Sequence, residues 1–117
     1  MAFLKGGKAL ALGISTACLY PMAMEDSLQT LIDSGFREFE IFINTYSEME
    51  PEFLTMLEEK LKPQGCRVKS LHPFTSGFES YLLFSNYERR FQDGASFYRR
   101  YFETVSYTHL TLPTNSL

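Results

Sequence analysis

Three short apolar runs, separated by stretches of helical period, constrain this chain more than any other feature. Leu10–Ala11–Leu12–Gly13–Ile14 is nearly continuous in apolar residues, as a strand covered on both faces requires. The segment after it, "LYPMAMEDSLQTLIDSGF", turns helical, with Leu28, Leu31 and Ile32 on one face. Glu25 and Asp26 sit where its first turn favours negative charge, and Gly35 sits where a helix ends. A second strand is read at Phe39–Ile43, with Phe39, Ile41 and Ile43 pointing one way and Glu40 and Phe42 the other. A second helix follows in "SEMEPEFLTMLEEKLKPQG", with a stripe of Phe53, Leu54, Leu57 and Leu61 and a stop at Pro63 and Gly65. A third strand, Arg67–Leu71, places Cys66, Val68 and Ser70 opposite Arg67, Lys69 and Leu71. A loop with Pro73, Ser76 and Gly77 leads to a helical region, "SNYERRFQDGASFYRRYFE", expected to break near Asp93–Gly94.

The order β-α-β-α-β-α predicts a parallel sheet, because a helix-length crossover joins parallel strands and a tight turn joins antiparallel ones. Strands 1-2-3 should be neighbours, with Leu10–Thr16 first and the helices on one face. Both a doubly wound sheet and the first three βα units of a (β/α)8 barrel have this pattern. A whole barrel needs about 250 residues, so a chain of 117 residues would hold three of its eight units.

Composition narrows the function classes. The chain is 44% hydrophobic and 21% charged, a globular balance, and its net charge of −3 with no basic block argues against nucleic acid as a partner. No apolar run reaches the length that spans a membrane, so no membrane partner is expected. Cys18 and Cys66 lie far apart with no C-x-x-C spacing, which fits two reduced thiols and a cytoplasmic location. "MAFLKGGKALALGISTACLY" faintly mimics a signal peptide or lipoprotein box. Ser15 stands where that box wants a large aliphatic residue, so the strand is the better reading.

Three polar residues stand out at the strand ends. Glu40 interrupts an apolar strand, and a buried carboxylate there must be neutral, paired or at a wet site. A structural ion pair is the alternative. Asn44 lies nearer the strand end, within reach of a ligand. His72 precedes Pro73 at the end of the third strand, where the competing reading is a surface turn. Arg89, Arg90, Arg99 and Arg100 alternate with Phe91, Phe97, Tyr98, Tyr101 and Phe102, which reads as the buried face of an outer helix with solvated arginines. Met22, Met24 and Met49 are read as packing residues. Phosphate-loop, G-x-S-x-G and H-E-x-x-H motifs are absent from the sequence.

Taken together, "LGISTACLYP", "GFREFEIFIN", "CRVKSLHPF" and the Tyr- and Arg-rich helix over residues 8–104 resemble the sugar phosphate isomerase/epimerase family of xylose isomerase-like TIM barrels. The resemblance implies an active site at the carboxyl ends of the strands. There a divalent metal (Mn, Mg or Zn) polarises a ketose or aldose while acidic groups move a proton between adjacent carbons. The family's metal ligands come from later strands, which this chain does not hold. It would therefore supply a substrate wall of Glu40, Asn44 and His72 and be inactive by itself, with a sugar or sugar phosphate as the partner of the intact protein. The endonuclease IV branch of the superfamily, where a His at the place of His72 binds metal, is one alternative. A small β/α binding module without enzymatic activity is another.

The end of the chain raises a separate expectation. "VSYTHLTLPT" resembles one reading frame of the transposon end and adapter used in sequencing libraries. On that resemblance the domain covers residues 1–104, residues 105–117 are a foreign tail, and His109 is no site residue. The alternative is a fourth strand over Val105–Leu112, oddly joined to a helix without a turn.

Overall fold

The computed structural model describes residues 2–5, 8–74 and 82–107. Five strands and three α-helices occupy them. A two-stranded antiparallel hairpin, β1 (Ala2–Lys5) with β2 (Lys8–Ala11), pairs Ala2 with Ala11 and Lys5 with Lys8. A separate parallel sheet runs in the order β3 (Gly13–Ser15), β4 (Glu38–Phe42), β5 (Arg67–His72). Helices α1 (Met24–Asp33), α2 (Pro51–Leu61) and α3 (Glu88–Tyr107) follow β3, β4 and β5 in turn.

The expected first strand is thus two strands. Leu10 and Ala11 belong to the hairpin, and only Gly13–Ser15 enters the parallel sheet. Nor is it covered on both faces: Ala11 is exposed, and Leu12 is 43% exposed. An apolar run fixes strand propensity but not the partner, and Gly6–Gly7 offers the two-residue connection that a hairpin needs.

The parallel sheet has one buried face. Phe39, Ile41 and Ile43 alternate along β4 and its end, each at most 1% exposed. They meet Met24, Leu28, Leu31 and Ile32 around α1, and Leu57 and Leu61 of α2, in one core. That core forms because the 3.6-residue stripes of the helices and the period of two in β4 present apolar surfaces of matching width. Tyr101 of α3 joins the same core, so the three helices share one side of the sheet.

Local signals set the boundaries. After α1, Gly35 takes φ +101°, its N–H donates to the Ile32 carbonyl, and the Phe36 N–H donates to the Leu31 carbonyl. Both bonds of a Schellman motif are present, closing the helix and turning the chain into β4. Gly65, at φ +66°, does the same before β5, where the Cys66 N–H reaches the Leu61 carbonyl.

The sequence alternation expected in β5 is broken by a bulge. Phe39 pairs with Val68, but Glu40 pairs with Ser70, leaving Lys69 as the extra residue. Val68 and Leu71 therefore face the helices, while Ser70 and His72 share the opposite face with Glu40 and Phe42.

Helix α3 runs unbroken through Asp93–Gly94. Gly94 marks a close approach: a Cβ there would lie 3.0 Å from the Leu82 Cβ and 3.2 Å from the Leu83 Cδ2. Helix α3 also passes Glu103 without a turn and continues to Tyr107, so Val105–Tyr107 are helical rather than the start of a strand. Thr104 is buried on it. Residues 108–117, including His109, lie outside the described residues. The aromatic face is only partly covered: Tyr101 is buried and Phe97 and Tyr98 are half-buried, while Phe91 and Phe102 are exposed.

Candidate functional site

The two faces of the parallel sheet differ in kind. One is closed by helices. The other carries Gly13 and Ser15 from β3, Glu38, Glu40 and Phe42 from β4, and Arg67, Ser70 and His72 from β5. Paired residues of neighbouring parallel strands share a face, so the register places these together. Their carboxyl-end members are Ser15, Glu40, Phe42, Ser70 and His72.

Each of these side chains is held by a named contact. The Ser70 hydroxyl donates to Glu40 Oε2 at 3.0 Å across the β4–β5 pair. The His72 ring stacks on Phe42, with centroids 4.5 Å apart and planes 20° from parallel. His72 Nδ1 lies 2.7 Å from the Pro73 carbonyl oxygen. Glu40 and His72 sit diagonally, one strand across and two residues on, so their Cα atoms are separated by roughly 8 Å.

The wall behind them is locked by Thr16. Strand β3 ends at Ser15, where the Ser15 side chain caps a short 3₁₀ turn by accepting from the Ala17 N–H at 3.2 Å. The ladder would end there and leave β4 short of a partner. Instead Thr16 Oγ1 accepts the Phe42 N–H at 2.9 Å, while the Thr16 carbonyl accepts the Ser27 hydroxyl at 2.7 Å. On the other side of β4, the Ile43 N–H donates to the His72 carbonyl at 2.9 Å.

Asn44 serves a different part of the structure. Its N–H donates to Glu48 Oε2 at 2.5 Å, and its side-chain Nδ2 donates to Glu48 at 3.2 and 3.3 Å and to the Phe42 carbonyl at 3.3 Å. It ties the end of β4 to the turn Tyr46–Met49, and only its Oδ1 is left to meet a ligand. The structure thus brings Glu40 and His72 together and sets Asn44 apart in a structural lock.

Positive charge is sparse on this face. Lys69, displaced by the bulge, has its Nζ 3.5 Å from Glu38 Oε2. Arg67 pairs in register with Glu38 at the opposite, amino end of β5. Arg100 is engaged elsewhere, with Glu50 at 2.9 Å and over the Tyr46 ring at 5.6 Å.

Ser70, Phe42, Thr16 and Glu48 are site residues that the sequence alone did not single out. In the sequence Ser70 reads only as an alternating strand residue. The bulge that turns it toward Glu40 has no signature in "RVKSLH". Thr16 and Glu48 act through sequence separations of 26 and 4 residues, and only the second of these could have been guessed from spacing.

A groove of about 410 Å³ lies at the free edge of β5, lined by Lys69, Ser70, Leu71 and Pro73 on one side and Tyr98, Tyr101, Phe102 and Val105 of α3 on the other. It is chiefly apolar and distinct from the Glu40–His72 face, sharing only Ser70 and Pro73 with that site. A second hollow of about 310 Å³ lies between α2 and α3, lined by residues that include Glu50, Leu54, Arg100 and Thr104.

Among the described residues, no three or more His, Cys, Asp or Glu side chains gather as a metal site would need. No helix of the described residues is long and apolar enough to cross a membrane. No protein-family model, curated protein or solved structure matches this chain.

Proposed function

We propose that this chain is the substrate wall of a sugar or sugar phosphate isomerase/epimerase, built as the first three βα units of a (β/α)8 barrel. One observation carries the reading. A carboxylate and an imidazole stand at the carboxyl ends of adjacent parallel strands, on the face that the helices leave open. In βα architectures that end of the sheet is where ligands bind, because the loops there can vary without disturbing the core.

The chemistry available suits a polyol. Glu40 accepts hydrogen bonds from hydroxyls, and the Ser70 hydroxyl keeps its carboxylate oriented. Phe42 and His72 give a flat, stacked surface for the apolar face of a sugar. The proton transfer between carbons, and any divalent metal that assists it, would belong to later strands of the intact protein; the wall orients the substrate.

The test is ligand binding by the 117-residue chain, followed through the amide and side-chain resonances of Glu40, Phe42, Ser70 and His72. Adding a ketopentose such as D-xylulose should shift these four residues together. Glu40→Gln and His72→Ala should each weaken the shift while leaving the melting curve in place. Shifts confined to the β5–α3 groove, or none at all, would rule out this face as a sugar wall.

A further inference from the structure

We infer that the open face recognises the hydroxyl groups of a neutral polyhydric ligand, with His72 Nε2 as one of its acceptors, and does not seat a phosphate. This rests on the reading of the face as a sugar wall and names what that wall selects.

The tautomer of His72 is fixed by its neighbour. Nδ1 is 2.7 Å from the Pro73 carbonyl oxygen, and a carbonyl has no proton to give. Nδ1 must therefore hold the proton. A neutral imidazole carries only one, so Nε2 presents a lone pair. The stack on Phe42 fixes the ring plane, so this lone pair has a set direction.

Glu40 adds to the same polarity. An ionised carboxylate only accepts, and Oε2 already takes the one proton that Ser70 can donate. The carboxyl-end half of the face therefore shows mainly acceptors to a ligand: Glu40 and His72 Nε2 only accept, the Ser70 proton is taken by Glu40, and the Ser15 hydroxyl opposite Glu40 is the one donor left among these residues. A ligand fitting it must bring its own donors, which a chain of hydroxyls does. A phosphate dianion brings acceptors and negative charge to the Glu40 carboxylate.

Two cations bear on this face, and neither changes the outcome. Lys69 is drawn toward the amino end of β4, its Nζ 3.5 Å from Glu38 Oε2. Arg67 lies five residues from His72 along β5, or roughly 15 Å, beyond the reach of a ketose chain stacked on Phe42 and His72.

The test uses the 117-residue chain labelled with ¹⁵N-histidine, in mildly alkaline buffer, with the His72 signals assigned by their loss in His72→Phe. Nitrogen–proton correlation should show a protonated Nδ1 and an unprotonated Nε2. D-xylulose should move the Nε2 signal in the direction of an accepted hydrogen bond. D-xylulose 5-phosphate should bind the same residues at least tenfold more weakly. A His72 protonated at Nε2 overturns the inference. So does a phosphate ester that binds more tightly than the free sugar and loses that advantage in Arg67→Ala, an outcome that leaves the sugar wall standing. If neither sugar moves any residue of the face, the sugar wall falls and the inference with it. Ser70→Ala supplies a second variant: it removes the hydroxyl that orients Glu40, so it should weaken sugar binding and leave the His72 tautomer unchanged.

Discussion

Thr16 is where the sheet and the candidate site depend on a single side chain, and replacing it by valine isolates that dependence. The two side chains are nearly the same shape, so the change swaps a hydroxyl for a methyl at a position 3% exposed. The Phe42 N–H loses its acceptor at 2.9 Å at a part-buried position. An unsatisfied amide of this kind costs about 1–3 kcal/mol. The extra methyl returns about 0.8 kcal/mol of burial. The net loss should be about 0.2–2 kcal/mol. Thr16→Ser keeps the oxygen and loses only the methyl, a cost of about 0.8 kcal/mol by the same measure. Urea unfolding alone would hardly separate the two.

Hydrogen exchange separates them. In Thr16→Val the Phe42 amide should exchange about tenfold faster, beyond the change set by global stability, since about 1.4 kcal/mol is a factor of ten. The Phe39 and Ile41 amides, which do not depend on Thr16, should follow global stability alone. Thr16→Ser should leave the Phe42 amide protected. Phe42 also carries the His72 ring, so the valine variant should weaken sugar binding at the open face while the serine variant should not. Equal exchange of the Phe42 amide in the two variants would refute the idea that the Thr16 side chain completes the ladder.

Three further outcomes are expected. Gly35→Ala should lower stability by about 1–2 kcal/mol in urea unfolding, because φ +101° is strained for any residue with a Cβ, although nothing lies within 4 Å to clash with it. Gly94→Ala would ordinarily raise stability by about 1 kcal/mol in a helix interior; here the added Cβ meets Leu82 Cβ at 3.0 Å, so the melting temperature should stay level or fall, and a rise would show that this contact yields freely. Burial pushes the Cys66 thiol above its ordinary value of 9.0, assisted by Glu38 and opposed by Arg37. Its contribution to stability is therefore complete below the ordinary thiol range and lost as pH rises through the raised value, so unfolding free energy should decline in alkali more steeply than in Cys66→Ser. Alkylation of Cys66 should likewise lag behind that of the exposed Cys18, and equal rates would contradict the burial.

Much of the fold was legible because it follows from period and punctuation. Phe39, Ile41 and Ile43 alternate in the sequence and are buried together. Leu28, Leu31 and Ile32 share a helical face and meet them. Gly35 and Gly65 announce two helix ends by the backbone conformation that only glycine takes readily. These are local rules, and the parallel order follows from the lengths of the crossovers. What stayed hidden depended on a partner strand. "KALALGIS" has the propensity of one strand, yet the chain splits it between a hairpin and a sheet. "RVKSLH" reads as a clean alternation, yet Lys69 bulges out of register and reverses the faces of Ser70 and Leu71.

The site shows the same division. Glu40 was conspicuous because a carboxylate in "FEIF" demands an explanation, and the register supplies one in the Ser70 hydroxyl across the pair. His72 was conspicuous because it stands before Pro73 at a strand end, and that proline matters through its carbonyl, which fixes the imidazole proton. Neither partner could be named from spacing, since Ser70 lies 30 residues from Glu40 and reaches it only through the bulge. A one-residue irregularity thus decides whether the carboxylate faces a hydroxyl or a lysine. Without the bulge, Lys69 would take the register position opposite Glu40 and bring a cation to the carboxyl end of the face. The bulge sends Lys69 to Glu38 instead and leaves the upper face to hydrogen-bond acceptors. A deletion of Lys69 would remove the bulge and leave Val68 opposite Phe39 and Ser70 opposite Glu40, so the acceptors of the open face should stay in place and only the Lys69–Glu38 contact should be lost. The register of β5 is therefore as much a part of ligand selection as Glu40 or His72.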